Sequence, residues 1–194
     1  VNDPFTSLRG THVSGGSCIW VLGEEEYFTA RGLTPVGGWV DGVALSSDAE
    51  HIITPSDSGP KRALSRAFEE ASVTPGDIAI ADLHATGTPG DLNELELVDG
   101  YINDQTRITA RKGQLGHGMA NSGGWELTAL ALGLRAGEAY ATGIDKSQLH
   151  PSVRRTQAIV GEQVALPTGG EKVGFKLMLG IGGITACVVM RAAK

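Results

Sequence analysis

Apolar residues recur at two periods along this chain. Runs with every second position apolar, or short continuous apolar stretches bounded by glycine or proline, predict strands over residues 12–22, 36–45, 78–83, 108–110, 172–179 and 184–192. The first of these is interrupted by Gly15-Gly16, and a shorter strand is expected within 138–143. Helical spacing takes over at residues 24–31, stopped by Gly32, and at 61–73, where Ala63, Leu64, Ala67, Phe68 and Ala71 share one face. A third helix is expected over 121–134. It opens in the small-residue run Asn121-Ser122-Gly123-Gly124 and carries Leu127, Leu130, Ala131 and Leu134 on its apolar side. Residues 54–60 read as a Pro/Ser/Gly loop, and Thr74-Pro75-Gly76-Asp77 as a turn. Together these elements predict an α/β protein.

Two of the strands end in polar, glycine-rich loops that each carry one histidine. The run IAIADL is followed by His84-Ala85-Thr86-Gly87-Thr88-Pro89, and ITA by Lys112-Gly113-Gln114-Leu115-Gly116-His117-Gly118. A helix-like run follows each loop. In open α/β sheets, ligands bind at strand ends that feed helices, so two such loops can bring both histidines to one substrate group.

These two loops resemble those of the ketosynthases, the β-ketoacyl condensing enzymes of fatty-acid and polyketide synthesis. The family's first histidine motif reads HGTGTP; here it is HATGTP. Its second places a lysine shortly before a Gly-His pair, as Lys112 stands before Gly116-His117. The C-terminal turn of the family, Phe-Gly-Phe-Gly-Gly between two strands, has a counterpart in Leu179-Gly180-Ile181-Gly182-Gly183. The glycines match. Aliphatic residues replace both aromatics, one of which gates the family's nucleophile. The resemblance covers nearly the whole chain but only the downstream half of a ketosynthase. It implies a thiolase-like, layered αβαβα fold, with residues 1–33 closing the N-terminal half and residues 34–194 forming the C-terminal half.

By the same resemblance, the reaction is a decarboxylative Claisen condensation of an acyl thioester with a malonyl-type extender carried on an acyl carrier protein. His84 and His117 would donate to the thioester oxygen, where charge develops. Lys112 would orient them, held by a carboxylate on the helix after the first histidine. Glu94 is the expected carboxylate, with Glu96 second. Glu94 lies ten residues after His84 where the family has eleven, so the loop is one residue shorter. Ala85 replaces a glycine, which carries a conformational cost if that position has positive φ. Thr86 and Thr88 are expected on the pantetheine arm of the substrate, and Gly182 and Gly183 in the substrate site. The nucleophilic cysteine is expected from an N-terminal ketosynthase half, in the same or a separate chain, and the complete units are expected to pair as dimers. The resemblance implies no metal or organic cofactor beyond the carrier's phosphopantetheine. A non-catalytic, ketosynthase-like structural subunit or an inactive fragment is the alternative.

Composition fits these readings. Hydrophobic residues make up 41% and charged residues 20% of 194 positions, a globular balance. A net charge of −6 argues against nucleic-acid binding. The chain has no apolar run of roughly 18 residues, the length of a membrane span, and its first residues lack a signal peptide's basic and apolar regions, so a cytoplasmic setting is expected. Cys18 and Cys187 both fall within predicted strands. They read as buried structural thiols and not as nucleophiles, which are usually activated at a helix N-terminus.

Overall fold

The computed structural model describes residues 2–48 and 56–193. His51 and the first two residues of the loop expected before the second helix, Thr54 and Pro55, lie outside the described residues. A five-stranded mixed sheet runs through the molecule in the order β1 (Trp39–Ser47), β7 (Ile184–Arg191), β6 (Val173–Gly180), β2 (Ile78–Asp82), β3 (Arg107–Thr109). β6 and β7 form an antiparallel hairpin and β1 adds antiparallel to β7, whereas β2 joins β6 and β3 in parallel. A separate two-stranded ribbon is formed by β4 (Glu138–Ala139) and β5 (Val164–Ala165).

Side-chain alternation along β6 and β7 sets what each face receives. Val173, Phe175 and Leu177 on β6, with Cys187 and Val189 on β7, point to one face. There they meet α2 (Ser58–Ala71) through Ala63, Leu64, Ala67 and Phe68, and α3 (Gly90–Val98) through Leu95 and Val98. Phe68 stands edge-on to both Phe175 and Tyr101, with ring centroids 5.5 and 5.4 Å away. The opposite face carries Val188 and Met190 and is covered by Leu130, Ala131 and Leu134 of α5 (Ser122–Ala136). Two short helices complete the set: α1 (Glu25–Thr29) and α4 (Lys112–Leu115).

Several boundaries differ from expectation. α2 starts three residues earlier because Pro60 sits in its first turn, where a missing N–H costs nothing. It ends at Ala71 because Ser72 turns left-handed at φ 54°. Residues 12–22 do not form a strand. Apart from one bridge between Val13 and His117, they run as an extended segment over α5, tied by Trp125 Nε1 to the Ser17 carbonyl (3.0 Å) and Trp20 Nε1 to Thr128 Oγ1 (2.9 Å). Cys18 is therefore half-buried beside Thr128 and Gly124 and does not sit inside a strand. Cys187 is buried as expected, and desolvation pushes its thiol up to about 12. The strand expected within 138–143 shrinks to Glu138–Ala139, because the carbonyls of Tyr140 and Ala141 accept from Arg111 instead. Among the described residues no helix is long and apolar enough to cross a membrane.

Phe175 is fully buried and contacts the ring of Phe68. Phe175→Ala is expected to destabilise the fold by about 3–5 kcal/mol, read as a lower urea midpoint at unchanged slope.

Candidate active site

His84 follows the C-terminal end of β2, and Lys112 the end of β3, so parallel pairing puts both at one edge of the sheet. Lys112 has no solvent exposure. Its ammonium donates to Glu126 Oε1 at 2.5 Å and to the His84 carbonyl at 2.7 Å, and faces His84 Nδ1 at 3.4 Å. An ammonium only donates. His84 Nδ1 is therefore the acceptor, and the ring proton sits on Nε2. His117 reaches the same result by another route. The Met119 backbone N–H donates to His117 Nδ1 at 3.2 Å, with Ser122 Oγ 3.0 Å from the same nitrogen. The two rings lie 5.3 Å apart, centroid to centroid, at 82°.

The expected pairing of Lys112 with Glu94 does not form. Glu94 is buried on α3 and turns back to accept the backbone N–H groups of His84 (2.6 Å) and Ala85 (2.8 Å), so it shapes the loop. Glu96 is exposed on the same helix. The carboxylate that holds Lys112 is Glu126 of α5, on the helix after the second histidine. Its signal was a lone acid in an otherwise small and apolar run, four residues from both Ser122 and Leu130 on the buried side of that helix.

The first loop is fastened by a second acid. Asp91 accepts backbone N–H groups from Thr86, Gly87, Thr88 and Phe5. Thr86 and Thr88 stand half-buried with hydroxyls 3.0 Å apart. Gly87 takes the loop's positive φ, 76°, and Ala85 does not, so the alanine carries no strain. The N-terminal segment straps the second loop: His117 N–H donates to the His12 carbonyl (2.7 Å) and Ser14 N–H to the His117 carbonyl (2.9 Å). Gly182 and Gly183 make the β6–β7 turn at φ 89° and 75°, and the Gly183 carbonyl accepts from Asp48 N–H. β6 pairs with β2 at Asp82–Lys176 and runs on to Gly180, so this turn lies at the same sheet edge as His84. Among the described residues no hydrogen bond ties either glycine to the histidines.

Beneath His84 lies an ionic cluster. Lys176 of β6, fully buried, sits 3.0 Å from Asp82 Oδ1 and 2.8 Å from Glu126 Oε2, and donates to the Leu83 carbonyl at 2.8 Å. Asp82 Oδ2 also receives Thr109 Oγ1 (2.7 Å) and Arg111 Nε (3.2 Å). The environment acts on each titrating group. Burial, then the charges of Lys112 and Lys176, pushes His84 well below the ordinary imidazole value. Burial and Lys112 lower His117. Burial and Lys176 lower Lys112, against the pull of Glu126. Burial works against the charge of Lys176 too, but Glu126 and Asp82 overcome it and hold it above the usual lysine value. Burial raises Glu94 to about 7 against its two backbone donors.

This constellation can present two neutral N–H donors, fixed in tautomer, to one developing negative charge. Comparison with known proteins agrees in kind. Residues 38–143 match the family model described as Beta-ketoacyl synthase, C-terminal domain. The chain belongs to the β-ketoacyl synthase family. A 3-oxoacyl-[acyl-carrier-protein] synthase 2 from Rhizobium meliloti (strain 1021) is 32% identical across 97% of this chain and 45% of its own length. One of the same name from Staphylococcus aureus (strain COL) is 30% identical across 72% of this chain and 35% of its own. A solved ishigamide ketosynthase/chain length factor superposes with a TM-score of 0.87 at 26% identity, over 99% of this chain and 47% of that one. A β-ketoacyl synthase from Burkholderia phymatum STM815 gives 0.84 at 22% identity over 100% and 47%, a likeness of fold. The thiolase-like α/β architecture follows, and the chain corresponds to the C-terminal half of a β-ketoacyl synthase. It spans less than half the length of these relatives.

At pH 6.5, where a free histidine is half charged, His84 is expected to be neutral and Nε2-protonated and His117 less than half charged. Side-chain 15N spectra of the complete protein check this; a half-protonated His84 at that pH would contradict the geometry. The stability sign follows from linkage. With depressed folded-state pKa values, the unfolded chain takes up protons first, so these histidines cost stability as pH falls below 6.5. Glu94, raised from 4.5 to about 7, costs stability as pH rises through that interval.

Proposed function

We propose that this chain is the histidine-bearing half of a 3-oxoacyl-[acyl-carrier-protein] synthase that performs decarboxylative Claisen condensation. The observation that carries the reading is the pair of histidines whose Nδ1 atoms are both occupied by fixed donors, leaving two Nε2–H groups for the substrate. A malonyl thioester on the phosphopantetheine of an acyl carrier protein binds with its thioester oxygen between those donors. The bond to the carboxylate breaks, carbon dioxide leaves, and the electron pair becomes an enolate whose oxygen the histidines stabilise. The enolate carbon then attacks an acyl group carried as a cysteine thioester. A new carbon–carbon bond forms and the cysteine thiolate departs.

The cysteine belongs to an N-terminal ketosynthase half, in the same chain or a partner, because neither Cys18 nor Cys187 is placed at a helix start. Residues 1–33 pack with that half and residues 34–194 form the other. The exposure of Ile19 (89%), Val21 (90%) and Leu22 (74%) supports such a covering partner. Complete units pair as dimers. Thr86 and Thr88 line the pantetheine path, and Gly182 and Gly183 the acyl end. The proposed chemistry draws on the carrier's phosphopantetheine and on this chain's side chains.

Aliphatic Leu179 and Ile181 in the glycine turn favour a second reading, a non-catalytic subunit. The intact Lys112–Glu126–histidine arrangement argues for the catalytic one.

In the complete protein, His84→Ala and His117→Ala are each expected to lower malonyl-carrier decarboxylation by about 100-fold or more, the scale of losing one oxyanion donor. Release of labelled carbon dioxide measures it. Near-normal rates in both variants would sink the catalytic reading and favour the structural subunit.

A further inference from the structure

Lys176 stands out among the buried charges, because it touches neither histidine yet contacts the groups that hold His84. Its ammonium donates to the Leu83 carbonyl at 2.8 Å and ion-pairs with Asp82 Oδ1 and Glu126 Oε2 at 3.0 and 2.8 Å, two buried oxygens that have no other partner among the described residues. Each leads to His84 by a different path. Leu83 is its chain neighbour. Glu126 holds Lys112 with its other oxygen, and Lys112 holds both the carbonyl and Nδ1 of His84. Asp82 sits two residues upstream and is pinned on its second oxygen by Arg111 and Thr109. Resting on the ketosynthase reading above, we propose that Lys176 is a positioning residue for His84. Its ammonium clamps Glu126 and the end of β2, so that Lys112 points at His84 Nδ1 and leaves Nε2–H facing the substrate.

Removing this ammonium without replacement leaves buried oxygens of two carboxylates without their cation. Such oxygens either take up a proton or turn toward another donor. In either case Glu126 no longer holds Lys112 in one orientation, and His84 loses the donor that fixes its tautomer. The charged and titratable groups around His84 are Lys112 from α4, Lys176 from β6, His117 from the second loop, Glu94 from α3 at its backbone N–H, Glu126 from α5 behind Lys112, and Asp82 with Arg111 below. Burial does most to keep the ring neutral, and the charges of Lys112, Lys176 and His117 add to it. Losing Lys176 therefore moves the protonation of His84 toward higher pH.

The test uses the complete protein with Lys176→Met, which keeps length and removes charge, and Lys176→Gln, which keeps a donor in case the first does not fold. Two readouts are taken. In malonyl-carrier decarboxylation, kcat is expected to fall about tenfold or more with KM within about twofold, and the acidic limb of the pH profile to move to higher pH. In side-chain 15N spectra, His84 is expected to lose its single Nε2–H tautomer or to titrate closer to the free-imidazole value. An unchanged His84 tautomer and titration in a folded variant overturns the proposal, whatever the activity. Failure of both variants to fold also overturns it, because Lys176 would then be a structural residue. A wild-type protein that releases no carbon dioxide defeats the ketosynthase reading alone, since the 15N spectra still decide what Lys176 does to His84.

Discussion

Glu126 is a carboxylate buried between two ammonium groups, and the site depends on that sandwich. An isolated ionised carboxylate in an apolar core costs several kcal/mol after relaxation, and losing one partner of a buried pair is more damaging than never having had the pair. Here one oxygen faces Lys112 and the other Lys176. The arrangement ties together α5, α4 and β6, and through Asp82 also β2. Counting outward, Arg111, Lys112 and Lys176 supply three positive charges, and Asp82 and Glu126 two negative ones. Glu94 lies on the other side of His84 with its pKa raised to about 7, and its charge is the one that titrates near neutrality.

The surplus positive charge has a chemical consequence. A histidine beside an excess of cations resists becoming one. Burial first, and the charges of Lys112 and Lys176 after it, keep His84 and His117 as neutral hydrogen-bond donors, the form needed opposite an oxygen that gains negative charge. Their directions are set independently, one by a side-chain ammonium and the other by the Met119 backbone amide. Met119 holds that amide in place at a positive φ of 49°, an uncommon conformation for a residue with a side chain. The strap through His12 and Ser14 helps fix the loop that contains it.

Much of this was legible in the sequence because it is local. Each histidine loop follows a strand and precedes a helix within a few residues, and the alternating pattern of residues 172–192 is strong enough to define the central strands. What stayed illegible is set by contacts between distant segments. The resemblance points to Glu94, on the helix after the first histidine, as the partner of Lys112, whereas the partner formed, Glu126, depends on how α5 rotates over β6. Lys176 reads as one polar residue in a strand, and only the sheet's alternation places it under Asp82 rather than in solvent. Residues 12–22 carry a strand's composition, but their backbone groups are claimed by the His117 loop and by α5 side chains, so no ladder forms.

Polar and apolar requirements divide differently across this half-length chain. Every group that fixes the histidine tautomers lies within it: Lys112, Glu126, Lys176, Asp82, Ser122 and the Met119 amide. The electrostatics of the donor pair are thus set by a single stretch running from β2 to β6. Apolar burial is not closed in the same way. Val43 and Leu45 on β1 and Ile184 on β7 remain at least half exposed or nearly so, at 49%, 67% and 54%, alongside the strap's Ile19, Val21 and Leu22. Apolar surface on this scale gains from association, at roughly 25 cal/mol per Å² removed from water. A partner surface can therefore add burial and a nucleophile without having to orient the histidines, because their Nδ1 atoms are already committed.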